Sequence, residues 1–310
     1  MKELLKNSAL FVLFSAIIYS LLMCFWGNYM PIECQKNILF KRSNYGYSNT
    51  RLQDVKNYKN IDILFIGSSH TYRSFDTRIF TKFGLKTFNL GTSAQTPIQS
   101  QLLLKRYIPI LHPKIIIFDA YPIMFNIDGV ESALDIIAKD KNDFYSLIMA
   151  IKENNIIVYN TLLYSFYRNV MDKHFINYES GQFLDDTFIE GGYVYKNLSF
   201  ATRSKFNYQS IEIEKKQIEA FEENINYCKK LNIKYITIQT PIAKNLYCTI
   251  INRKSYDKII SQFGNYINFN SIMNLNDSLD FYDSEHLNQN GVNKFDVKIF
   301  EILKLKHFIK

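Results

Sequence analysis

Hydrophobic and polar positions change rhythm several times along this chain, and each change predicts an element. Ser8 to Trp26 is an uncharged, mostly apolar run preceded by Lys2, Glu3 and Lys6. A membrane-spanning helix needs about 20 such residues. The run is therefore expected to be an uncleaved anchor (residues 1–28), because Cys24-Phe-Trp-Gly-Asn lacks the small-x-small pattern of a cleavage site. The leading lysines place the N-terminus inside. Residues 29–60 are polar and aperiodic and are expected to form a linker.

From Asp62 onward the pattern alternates between short apolar runs and helical spacing. Ile63 to Ile66, Lys86 to Leu90, Lys114 to Phe118, Ile233 to Ile238 and Tyr266 to Phe269 predict strands, the first continuously apolar, as in a buried parallel sheet. Thr96-Pro-Ile-Gln99 predicts a helix start, with a Thr cap, Pro at the first position and Gln at the capping-box position. Ile211 to Leu231 predicts a helix, as do Lys254 to Phe263 and the stripe Val292, Phe295, Ile299 and Leu303. Strands alternating with helices predict an α/β fold: a three-layer α/β/α arrangement of flavodoxin-like type around a parallel sheet. Residues 126–208 break the alternation. They are expected to be an insertion in a 61–310 domain, helical over about 140–172 and loop over about 179–204.

Composition changes this picture little. The chain has 310 residues, 47% hydrophobic and 15% aromatic, which excludes a mainly disordered protein. Its net charge is +8, but Lys and Arg are dispersed, with no dense basic block of the kind that binds nucleic acid. The four cysteines form no Cys-x-x-Cys pair, and neither a metal-ligand spacing nor a glycine-rich phosphate loop is present, so no metal or cofactor is expected.

Two stretches could carry chemistry. Gly67-Ser-Ser-His70 follows the first strand, where open α/β sheets hold their ligands. Asp283 and His286 stand three apart just before the last helix. A serine is a weak nucleophile unless a base takes its proton and a third group orients that base. A loop before the last helix can return to the first strand, so Asp283 and His286 can meet Ser69 in one crevice. This reading requires Ser69 Oγ within hydrogen-bond reach of His286. His70 adjoins Ser69 and is a rival base, but neighbouring side chains on extended backbone point apart. It is expected to be structural or to contact substrate. Arg73 could anchor an anionic group or form a salt bridge.

Gly67-Ser-Ser69 after the first strand, Asn89-Leu-Gly91 after the second and Asp283-x-x-His286 near the end resemble the SGNH, or GDSL-type, hydrolase superfamily. The strings Gly-Ser-Ser-His-Thr-Tyr-Arg (67–73) and Tyr-Asp-Ser-Glu-His-Leu-Asn (282–288) resemble its membrane-anchored bacterial branch. That branch includes the D-alanyl transfer protein of teichoic-acid systems and alginate-type O-acetylation proteins. The resemblance implies Ser69 as nucleophile, His286 as base and Asp283 as its orienting partner, with the backbone amides of Ser69 and Gly91 as oxyanion donors. Two departures stand out. Ser68 replaces the Asp of the GDSL pattern, and the third block's Gly-x-Asn is absent, the chain reading Asp119-Ala-Tyr-Pro122 there.

The sequence therefore predicts a serine-dependent enzyme, an esterase or O-acyltransferase, held on the outer face of a bacterial cytoplasmic membrane. The resemblance implies acyl transfer to, or ester hydrolysis on, a cell-surface polysaccharide or glycan, with a membrane-bound O-acyltransferase as acyl supplier. His70, Arg73 and Asp119 are the candidate substrate contacts. The missing Asn motivates a second reading, a non-catalytic accessory or carbohydrate-binding protein on the same scaffold.

Overall fold

A computed structural model describes residues 1–39, 45–171, 182–183, 185–202 and 204–309. They fall into two compact units. One comprises residues 1–42 and 133–177, the other residues 43–132 and 178–310.

In the first unit, helix α1 (Lys2–Tyr29) holds the apolar run and is long and apolar enough to cross a membrane. Apart from Met23 its side chains stay open or half-open. The helical stretch expected over 140–172 is two helices, α5 (Phe144–Glu153) and α6 (Ile156–Val170), with residue 172 outside the described residues. They part at Asn154, which takes the left-handed conformation that ends a helix, and at Asn155, whose side chain accepts from the Ile157 amide to start the next.

The second unit carries the sheet. Among its helices are α2 (Ser69–Ser74), α3 (Thr77–Lys82), α4 (Pro97–Leu111), α7 (Lys215–Lys230) and α8 (Gln289–Leu305). Strands β1 (Ile63–Ile66), β2 (Thr87–Asn89) and β3 (Ile115–Asp119) come first. After the small strands β4 (Gln182–Phe183), β5 (Asp186–Ile189) and β6 (Tyr193–Lys196) come β7 (Lys234–Gln239) and β8 (Tyr266–Asn268). The main sheet is parallel throughout, in the order β2-β1-β3-β7-β8. That is the flavodoxin-like order, whose switch point lies between β1 and β3.

Alternation along the strands divides the core. Ile63, Phe65, Ile115, Ile117, Ile236 and Ile238 pack against Phe75, Phe80, Phe295 and Ile299, so α3 and α8 cover this face. Phe65 stacks on Phe75 with ring centroids 4.2 Å apart. On the opposite face Phe118 meets Phe221 of α7 edge-on. Two covered faces explain why Ile63–Ile66 and Ile115–Phe118 are continuously apolar.

The expected division of the chain needs two corrections. Residues 45–57 are not linker but a string of short helical turns, with Tyr47, Arg51, Leu52 and Val55 buried in the α/β unit. Residues 126–208 are not one insertion. Residues from 133 to 177 group with α1, whereas the later part includes a three-stranded antiparallel sheet where loop was expected. Its stretch 172–181, with 184 and 203, lies outside the described residues.

Candidate active site

Chain geometry delivers Ser69 to the switch point. β1 ends at Ile66, and Gly67 turns the backbone sharply. A Cβ on Gly67 would come within 2.9 Å of the Asp119 Cβ at the end of β3. Ser68 then caps α2 by accepting from the His70 amide. Ser69 opens the helix and is partly exposed, while Ser68 and His70 on either side are buried.

Asp283 and His286 sit on a loop pinned at its neck. Phe281 and Leu287 form an antiparallel bridge, the Tyr282 amide donates to the His286 carbonyl, and the Asn288 amide donates to the Asp280 carbonyl. Asn288 also caps α8 and donates its side-chain amide to the Leu279 carbonyl. These bonds hold the loop against the carboxyl end of β1.

Three side chains meet there. His286 Nε2 lies 2.9 Å from Ser69 Oγ, and His286 Nδ1 lies 3.1 and 3.0 Å from the two Asp283 oxygens. A carboxylate can only accept, so Nδ1 carries the proton and Nε2 accepts from the Ser69 hydroxyl. Burial alone would raise the Asp283 pKa, but it is held below the usual carboxylate range by hydrogen bonds from the His286 ring and from the Glu285 and His286 amides. The Tyr282 ring lies parallel to the His286 ring, with centroids 5.5 Å apart, and fixes its plane. Ser69, His286 and Asp283 are therefore joined in one hydrogen-bonded line.

The structure also places the other residues expected here. His70 is buried, with its ring 3.9 Å from that of Tyr121 and 4.9 Å from that of His286. Burial, together with the neighbouring His286, holds its pKa well below the ordinary histidine value, so it packs behind the base as a neutral ring. Arg73 is likewise no free anchor, since both terminal nitrogens are spent on Asp186, at 2.6 and 2.7 Å. Asp119 has one engaged carboxylate oxygen and one, Oδ2, buried without a hydrogen-bond partner among the described residues. Its Oδ1 accepts from the Thr240 amide and hydroxyl, at 3.1 and 3.0 Å, and the side chain lines a small cavity with Gly67, Gln95, Ser100, Phe118 and Asn224. Burial pushes its pKa up to about 7.

Gly91 also differs from expectation. Its amide donates to Asn89 Oδ1 at 3.1 Å, and Asn89 in turn donates to the Thr71 carbonyl at 2.7 Å. The glycine is required for space instead, because a Cβ there would stand 2.8 Å from the Ser68 carbonyl oxygen. Sequence reasoning missed Tyr121 and Tyr282, the aromatic walls of the two imidazoles. Tyr282 adjoins Asp283 in the final block, a signal that could have been used. Tyr121, which donates to Glu285 Oε1 at 3.0 Å, had only its place after β3 to mark it.

No family model and no curated protein matches the chain. Among solved structures, one described as a "putative acylhydrolase" from Bacteroides fragilis is similar at a TM-score of 0.43 and 11% identity, covering 86% of this chain and 100% of its own.

Proposed function

We propose that this protein is a serine-dependent acyl-ester enzyme acting on an acylated, most simply acetylated, sugar of a cell-surface glycan. The single observation that carries the reading is the hydrogen-bonded line from Ser69 through His286 to Asp283. In it, His286 Nε2 takes the Ser69 proton as Oγ attacks the ester carbonyl. The tetrahedral intermediate then collapses. The imidazolium returns that proton to the leaving alkoxide, and the acyl group stays on Ser69 as an ester. Asp283 holds the ring and stabilises its charge. A second hydroxyl, from water or from a sugar, attacks the acyl-serine by the same steps and restores Ser69, giving hydrolysis or transfer respectively. The Ser69 amide, at the first position of α2, is the oxyanion donor in this scheme. Tethering by α1 puts the site on the outer face of the cytoplasmic membrane, where a membrane-bound O-acyltransferase would supply the acyl group.

A non-catalytic glycan-binding role is the second reading, favoured by the engagement of the Gly91 amide with Asn89. Acetate release from acetylated sugars by the full chain in detergent separates the two. The enzymatic reading predicts a rate at least about 100-fold above that of Ser69→Ala. Equal rates would leave the binding role.

A further inference from the structure

The helical unit carries an apolar surface that the Ser69 site does not use. Helix α5 turns Ser146, Met149, Ala150 and Glu153 inward. Its opposite face carries Phe144, Leu147 and Ile151 in a stripe at helical spacing, 69%, 43% and 57% exposed. Ile156, first residue of α6, extends the stripe around the turn and is 63% exposed. Such a stripe on a helix pair whose other face is already buried calls for an apolar neighbour.

The register of α6 on α1 says what that neighbour is. Tyr19 donates to Asn160, Tyr164 donates to the Gly27 carbonyl, and Asn28 donates to Tyr167. The two helices therefore run in the same direction. Ile156 lies one turn before Asn160, and so beside or below Tyr19. From Tyr19 to the end of the apolar run near Gly27 is about 12 Å at 1.5 Å per residue. The α5–α6 turn thus lies alongside the apolar half of α1 and not beyond its end. At the turn, Asn154 donates to the Ala150 carbonyl and Asn155 caps α6.

We infer that the α5–α6 hairpin is a monotopic membrane element, its Phe144, Leu147, Ile151 and Ile156 edge immersed in the outer leaflet of the bilayer that α1 crosses. The inference rests on the anchoring of α1 proposed above, independently of the Ser69 chemistry. Immersion of such an edge to about 5–10 Å is usual for interfacial helices. The membrane then touches the protein at two places and restricts rotation of the helical unit about α1.

Fluorescence in bilayers tests both contacts separately, because Trp26 is the sole tryptophan. The full chain in phosphatidylcholine vesicles reports α1 through Trp26. The variants Trp26→Phe/Ile151→Trp and Trp26→Phe/Leu147→Trp report the hairpin, and Trp26→Phe/Tyr208→Trp reports an exposed site on the other unit. Lipids brominated near the glycerol end of the acyl chains should quench Trp26 and the tryptophans at 147 and 151 by twofold or more. Aqueous iodide should quench these several-fold less than the tryptophan at 208. Quenching of Trp26 by bromolipid, with 147 and 151 as iodide-accessible as 208, would overturn the hairpin contact and keep the anchor. Shielding of 147 and 151 from both quenchers would overturn it in favour of a protein neighbour. An unquenched Trp26 would remove the anchor and the hairpin contact together.

Discussion

His286 Nε2 lies 2.9 Å from Ser69 Oγ although 217 positions separate the two residues. The parallel sheet brings Ser69 to the end of β1, and the bridge between Phe281 and Leu287 returns the histidine to it. Replacing the base with a smaller, neutral amide should therefore remove proton transfer and leave the loop that carries it. His286→Asn is expected to lower kcat by about 10³–10⁴-fold with KM little changed, measured by steady-state hydrolysis of an acetyl ester.

Asp283 both orients the ring and accepts two backbone amides through Oδ1. Asp283→Asn keeps one carbonyl acceptor but loses the charge that favours the imidazolium. Its kcat should fall by about 10²–10⁴-fold, while its melting temperature falls by only a few degrees. A loss of fold in thermal unfolding would mean that the loop, and not the charge, is the main contribution of Asp283.

The Arg73–Asp186 pair is bidentate and nearly closed to solvent. Lysine cannot reproduce the planar fork, and with methionine at 73 the ion-pair partner left to Asp186 among the described residues is Lys196, 3.9 Å away. Arg73→Lys should cost about 1–3 kcal/mol of stability and Arg73→Met about 3–5 kcal/mol, because the latter leaves a buried carboxylate without its main partner. Urea unfolding monitored by circular dichroism reads both.

Burial raises the Asp119 pKa to about 7, against the lowering effect of the Thr240 hydrogen bonds. An aspartate in the unfolded chain titrates near 4. Between those values the folded protein holds a proton that the unfolded chain has released, so Asp119 makes stability fall as pH rises from about 4 to 7. Asp119→Asn should abolish that component and be the more stable protein at pH 8, by up to about 4 kcal/mol. Parallel pH profiles of wild type and variant across this window would contradict it.

Much of the fold was legible because its signals are local. Ile63 to Ile66 and Ile115 to Phe118 are apolar at every position since both sheet faces are covered, and Thr96-Pro-Ile-Gln99 writes a helix start directly. The helix predicted over 211–231 begins only at Lys215, and the loop expected over 179–204 contains β5 and β6, whose short strands carry too few residues for a period-two pattern. The burial of Tyr47 and Arg51 depends on partners far along the chain: Tyr47 donates to the Asp186 carbonyl, and Arg51 to that of Gly192. No local pattern encodes such contacts. At the site, residue types marked Ser69, Asp283 and His286. The engagement of the Gly91 amide with Asn89, and of Arg73 with Asp186, is a matter of geometry that spacing does not carry.

The most direct test of the account is covalent labelling of the full chain by a fluorophosphonate, with the adduct located by peptide mass spectrometry. An activated Ser69 predicts near-stoichiometric phosphonylation of Ser69, lost in Ser69→Ala and slowed by about 100-fold or more in His286→Ala. An unlabelled Ser69, or equal labelling of wild type and His286→Ala, would contradict it.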